Sequence, residues 1–94
     1  MKSTEQARGE IVLAIDAWRR ERRREDGQMA SLSDLADESG LSVSMLYQFM
    51  RDGGPLLGTA SVNKLRPLLD KHLADHSETW LAAMGVSAAA GPTP

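Results

Sequence analysis

Between Val43 and Arg51 the chain reads VSMLYQFMR, and five of these side chains carry chemistry suited to the edges of base pairs. In a helix that turns Leu46 and Phe49 inward, Val43, Ser44, Tyr47, Gln48 and Arg51 lie on or beside the opposite face. Gln48 offers the paired donor and acceptor that match an adenine edge, and Arg51 matches a guanine edge or a phosphate. Val43 can pack on a thymine methyl, while the hydroxyls of Ser44 and Tyr47 can donate to bases or phosphates. The same residue types also make an ordinary solvated helix face. The elements that hold them decide which it is.

Those elements are legible in residues 31–53, SLSDLADESGLSVSMLYQFMRDG. Ser31 is the expected cap of one short helix, with Asp34 placed three residues on as in a capping box, and Ser42 is the expected cap of the next. Gly40 falls at the turn between them, where a positive φ is free of Cβ strain only for glycine. Ala36 is small enough to let the second helix pass close to the first, Leu41 plugs the corner, and Leu46 and Phe49 face the core. Gly53-Gly54-Pro55 ends the second helix and opens a loop. Leu56 and Leu57 in that loop require burial, within the fold or against a partner.

The run Leu-Ala-x-x-x-Gly-Leu-Ser from Leu35, followed by Leu-Tyr-Gln-Phe-Met-Arg-x-Gly from Leu46, resembles the Cro and lambda-repressor-like helix-turn-helix family of phage and bacterial regulators. A looser likeness in helix order extends from about Ile11 to Leu73. Ser39 departs from the family's usual apolar residue toward LacI-like and TetR-like cousins, and Leu46-Tyr47 echoes the TetR-like recognition helix. Too few residues follow the motif for the effector domain of either cousin. The resemblance implies an all-α, lambda-repressor-like bundle of about five helices and a DNA-binding repressor that acts as a dimer on an inverted repeat. It also implies phosphate contacts from the starts of the helices flanking the reader, here Ser33, Ser61, Asn63 and Lys64, since exposed amides at a helix start suit an anion; Ser42, at the start of the reader itself, is a further candidate.

Composition bounds the alternatives. Ninety-four residues, 41% of them apolar, suit one small globular domain with a modest core. There is no cysteine, so disulfides and thiolate metal sites are excluded. No apolar run is long enough to span a bilayer and no signal peptide opens the chain, so a cytoplasmic protein is expected. The formal net charge is −2 and the motif is acidic, since residues 31–58 hold Arg51 against Asp34, Asp37, Glu38 and Asp52. DNA binders are commonly basic, so cations must come from outside the motif. The densest supply is the RRERRR run at 19–24, with Arg19 and Arg23 as candidate phosphate contacts. The acidic motif also supports a reading of another class: a protein-binding module, a phage inhibitor or adaptor that mimics nucleic acid or docks on a host protein. No phosphate-cradling loop or nucleophile–base pair suggests an enzyme, and no cofactor is implied. His72 and His76 stand one helical turn apart without a third ligand at metal spacing, and are read as structural or surface histidines.

The remaining elements follow from periodicity and caps. A first helix starts at Ser3 or Thr4, buries Ala7, Ile11, Ala14, Ile15 and Trp18, and runs into the arginines until Gly27 stops it. Thr59 or Ser61 caps a fourth helix, which Pro67 is expected to kink or break. Ser77 caps a last one, stopped by Gly85. The domain is expected to span 1–85, with residues 86–94 a disordered tail. Leu56, Leu57, Trp80, Leu81 and Met84 are the candidate dimer surface, while the helix of Trp80, Leu81 and Met84 would equally serve to cover the core.

Overall fold

The computed structural model describes residues 2–22 and 26–86. The fold is an all-α bundle. Five α-helices are present among the described residues: α1 (Thr4–Glu21), α2 (Leu32–Ser39), α3 (Val43–Met50), α4 (Thr59–Leu69) and α5 (His76–Ala83), with a short 3₁₀ turn at Asp70–His72. α1 is the spine. Its stripe of Ala7, Ile11, Ala14, Ile15 and Trp18 is fully or nearly buried, and α3, α4 and α5 pack around it while α2 bridges α3 and α4.

The caps explain where most helices begin. Ser3 accepts from the Gln6 amide and Gln6 returns the bond to the Ser3 amide. Ser31 and Asp34 do the same at the head of α2. Each box satisfies two amides that a helix start otherwise leaves open. Ser42 accepts from the Met45 amide at 3.1 Å, and Met45 has no oxygen to return it. Gly40, at φ 76°, closes α2 with its own amide and that of Leu41 both on the Ala36 carbonyl.

Four boundaries differ from the sequence expectation. α1 stops at Glu21, well before Gly27, because Arg22 leaves helical geometry and the chain turns back to pair Ala30 with Arg19 in both directions. α4 is capped by Gly58 rather than Thr59 or Ser61, and no side chain fills that cap. The Leu57 amide is fixed on the Ala83 carbonyl at 3.1 Å, so the chain is already set for helix entry one residue later. α4 also continues through Pro67 to Leu69 rather than breaking there; the helix loses the bond to the Asn63 carbonyl and tightens only afterwards, at Asp70. α5 opens at His76 behind Asp75, which puts Ser77 inside it. The expected disordered tail falls, after Val86, outside the described residues.

Trp80 and Leu57 resolve a second expectation. They are 1% and 4% exposed, in the core of a single chain, and so are withdrawn from any dimer surface. Trp80 Nε1 donates to Asp70 Oδ1 at 2.6 Å, and the other carboxylate oxygen faces Arg66 Nε at 3.3 Å and His76 Nδ1 at 3.8 Å. Replacing Asp70 by Ala strands a buried indole N–H, which costs about 1–3 kcal/mol. Asp70→Asn keeps an acceptor and is expected to recover most of it. Urea denaturation of the two variants checks this, and equal losses would refute the role given to the Trp80 bond.

Candidate nucleic-acid interface

α3 divides its side chains by burial. Leu46 and Phe49 are 0% and 1% exposed, Val43, Met45 and Met50 are half-buried against the core, and Ser44, Tyr47 and Gln48 stand in solvent. Tyr47, at 60% exposed, is a large ring that the core does not hold. Three of the five residues expected to reach bases therefore share the outer face, with Val43 at its margin. Arg51 is exposed but lies beyond α3, whose last residue is Met50. Its backbone is extended (φ −78°, ψ 140°), so the guanidinium starts from the end of α3 and not from its face.

That end is held by a residue the sequence reading passed over. Arg8 is 2% exposed and reaches across from α1. Its Nη1 donates to the Phe49 carbonyl and, at 3.5 Å, to that of Pro55; its Nη2 donates to the Gly54 carbonyl at 2.9 Å. The guanidinium also lies 4.9 Å from the centre of the Phe49 ring. A cation placed here satisfies carbonyls that a helix C-terminus leaves open and complements its negative dipole end. Glu5 completes the arrangement, accepting from Arg8 Nε at 3.0 Å and from the Gly53 amide at 3.5 Å. The Arg8 hydrogen bond, helped by the Gly53 amide and opposed by desolvation, holds the Glu5 carboxyl below its usual range. Gly54 is sterically required: a Cβ there would stand 2.1 Å from the Gln48 carbonyl oxygen and 2.9 Å from that of Arg51. Arg8 leaves a trace in sequence, as the one charge on the buried stripe at 8, 11, 15 and 18. Gly54 leaves only its place in the Gly-Gly-Pro run.

The expected phosphate contacts divide as well. Ser33 is exposed in the first turn of α2, Ser61 is half-buried in the first turn of α4, and Asn63 and Lys64 are exposed in its second turn. The open cap at Gly58 leaves the first amides of α4 without a side-chain acceptor. Ser42 Oγ is occupied as the α3 cap, which leaves its hydroxyl proton to donate. Arg19 is diverted: its Nε donates to the Ala30 carbonyl at 2.8 Å and its Nη1 lies 3.9 Å from Asp16, so it fastens the α1–α2 connection. Arg23 is outside the described residues.

Charge around α3 is less acidic than the composition implied. Glu38 is paired with Arg22 Nη2 at 2.8 Å, and Asp34 accepts from the Ser31 amide. Asp37 and Asp52 are exposed and have no ion-pair partner among the described residues. Of the described cations, Lys2, Arg8, Arg19, Arg22, Arg66 and Lys71 face carboxylates. Arg20, Arg51 and Lys64 do not, and all three are exposed. Arg20 is the cation that sequence reasoning missed within the arginine run.

No protein-family model, no curated protein and no solved structure matches this chain. The chemistry of the site is therefore read from its own residues. An amide and two hydroxyls line the outer face of α3 and a guanidinium stands at its end, groups able to hydrogen-bond the edges of base pairs. The two histidines face separate carboxylates, His72 Nε2 at 3.7 Å from Glu21 and His76 Nδ1 at 3.8 Å from Asp70. Among the described residues no group of three potential ligands could hold a metal ion, and no helix is long and apolar enough to cross a membrane.

Proposed function

We propose that this protein is a small cytoplasmic regulator of transcription that binds double-stranded DNA through α3, as a dimer on a short inverted repeat. One observation carries the reading: Leu46 and Phe49 anchor a helix whose free face is Ser44, Tyr47 and Gln48, with Arg51 at its end and facing no carboxylate among the described residues. Ser33, Asn63 and Lys64 supply phosphate contacts from α2 and α4, and Arg20 adds a cation from α1. The likeness of residues 35–53 to the Cro and lambda-repressor-like family supports a phage or mobile-element repressor that occupies a promoter. Half-sites one turn apart, about 34–36 Å, suit two such helices.

The test is selection of duplexes from a random pool, followed by affinity measurements across salt. Each phosphate neutralised contributes about −0.9 to the slope of log K against log salt, so Arg20, Arg51 and Lys64 together give about −2 to −3 per bound copy. That is shallow for a DNA binder, as an acidic chain requires. Failure to enrich any sequence, or affinity indifferent to salt, would refute the proposal. Exposed Asp37 and Asp52 favour a second reading, a module that docks on a basic protein. Stoichiometric capture of one such protein by the Gln48→Ala, Arg51→Ala chain would support it.

A further inference from the structure

α1 carries a glycine and a leucine that contacts within the chain do not explain. Leu13 is 68% exposed, and Gly9 stands one turn before it on the same side of the helix. A glycine inside a helix is less stable than an alanine, yet a Cβ at Gly9 would meet no atom within 4 Å. With Gln6 these residues line an open trough of about 570 Å³ beside the start of α5, whose other lining residues are Lys2, Glu10 and Glu78. Its polar wall is fixed. Lys2 Nζ lies 2.6 Å from Glu10 Oε2 and donates to the Thr79 hydroxyl at 2.7 Å, and the Lys2 amide donates to Glu78 Oε1 at 2.8 Å. One ammonium thus serves a wall of two carboxylates. It pairs with Glu10, and Glu78, half-buried, forms no ion pair among the described residues.

We propose that this trough receives a cationic amphipathic helix of another protein, which lays an apolar side chain over Gly9 and Leu13 and a lysine or arginine on Glu78. The chemistry of the trough selects this occupant. A small molecule needs a site that encloses most of its surface, which an open trough does not. A wall with a carboxylate in excess repels phosphate, whether of a nucleic acid or of a lipid. A second copy in a twofold contact would bring its own Glu10 and Glu78, acid against acid. A partner's cation instead supplies the charge that Glu78 lacks. The missing side chain at Gly9 lets a second helix come close, since the residues at a crossing set the distance between axes. Leu13, one turn on, then meets the apolar anchors of the incoming helix. The trough lies about 140° round α1 from Arg8, the residue that holds the end of α3. It uses residues that neither reading of function above employs, so it stands or falls apart from them.

The probe is a synthetic helical peptide of leucine and lysine with one apolar face, titrated into the full chain by NMR and calorimetry. It is expected to saturate, shifting the amide signals of Gly9, Leu13 and Glu78 and leaving those of Tyr47 and Gln48 in place. A leucine–glutamate peptide of the same pattern, and polylysine, each lack half of the chemistry and are expected to bind about tenfold more weakly or worse. Leu13→Glu and Gly9→Leu are expected to weaken the leucine–lysine peptide by about tenfold or more, with an unchanged helical circular dichroism spectrum because both positions are exposed. Glu78→Gln keeps the acceptor for the Lys2 amide and is expected to cost about two- to fivefold. Gly9→Ala is expected to raise the Tm of the free chain by about 2–8 °C. A Gly9→Ala chain of lower Tm overturns the proposal, since the glycine then serves the fold. So does a peptide that fails to bind at millimolar concentration, that binds Leu13→Glu and Gly9→Leu as it binds the wild type, or that shifts signals around Asp37 and Asp52 instead.

Discussion

Arg8→Met is expected to lower the stability of the fold by about 2–4 kcal/mol, a large loss for the replacement of one charged side chain. The methionine keeps the apolar stem in the α1 stripe, so the loss is that of the guanidinium. Three carbonyls then lose their donor. That of Phe49 is fully buried and costs about 1–3 kcal/mol unsatisfied. Those of Gly54 and Pro55 are only partly buried and recover some of their loss from water. The cation over the Phe49 ring contributes a further ~0.5–2 kcal/mol. Each kcal/mol lowers Tm by about 4–8 °C in a domain of this size. Arg8→Lys is expected to fall between, because one ammonium cannot span three acceptors that the planar fork reaches together. Calorimetry gives the magnitude. Amide hydrogen exchange gives the location, with protection lost first at Met50–Gly54 and retained in α2 and α5. A variant that loses less than about 1 kcal/mol, or exchanges no faster at the end of α3, would show that the latch is idle.

The contrast between Arg8 and Gly40 shows what the sequence could disclose. Gly40, the Ser31–Asp34 box and the Ser42 cap are decided within five residues, so their chemistry is complete in the local string. Leu46 and Phe49 follow from helical spacing, and with them the identity of the outer face. Arg8 is decided by acceptors 41 to 47 residues away, and no local pattern names them. Its only local sign is a charge at a core position, which helical spacing exposes but does not explain. Trp80 and Leu57 illustrate the same limit from the apolar side. Their hydrophobicity requires burial, yet only the placement of Asp70 beside the indole and of Ala83 beside the Leu57 amide decides for the core over a dimer seam. Arg19 shows that a charge run is not a uniform cation source: one of its members is diverted to a carbonyl and Arg22 to Glu38, while Arg20 is left over. Cap choice at α4 failed because Gly58, Thr59 and Ser61 are all competent, and the tertiary bond at Leu57 selects among them.

Gln48→Ala and Arg51→Ala are expected to weaken duplex binding in different ways, and the difference follows from where the two side chains start. Gln48 leaves the exposed face of α3, one residue from buried Phe49, and its carbonyl accepts from the Arg51 amide at 3.4 Å. A side chain so anchored can hold both amide groups against one base edge. Its removal is expected to cost about 1–3 kcal/mol on the preferred duplex and little on others, which relaxes the preference at a single base pair. Arg51 starts from extended backbone just past α3, outside the helical face of Ser44, Tyr47 and Gln48. If α3 enters a groove, a side chain that departs beyond the helix is suited to phosphate rather than to a base edge, so Arg51→Ala is expected to weaken all duplexes about equally and to reduce the salt slope by about 0.9. Both variants remove exposed atoms only, and neither is expected to change Tm. Competition titrations on the selected duplex and a scrambled one, at several salt concentrations, separate the two. Exchange of the two signatures, with Arg51 losing discrimination and Gln48 losing salt dependence, would mean that the chain beyond α3 enters the groove. The latch formed by Arg8 would then be what aims the reading side chain itself.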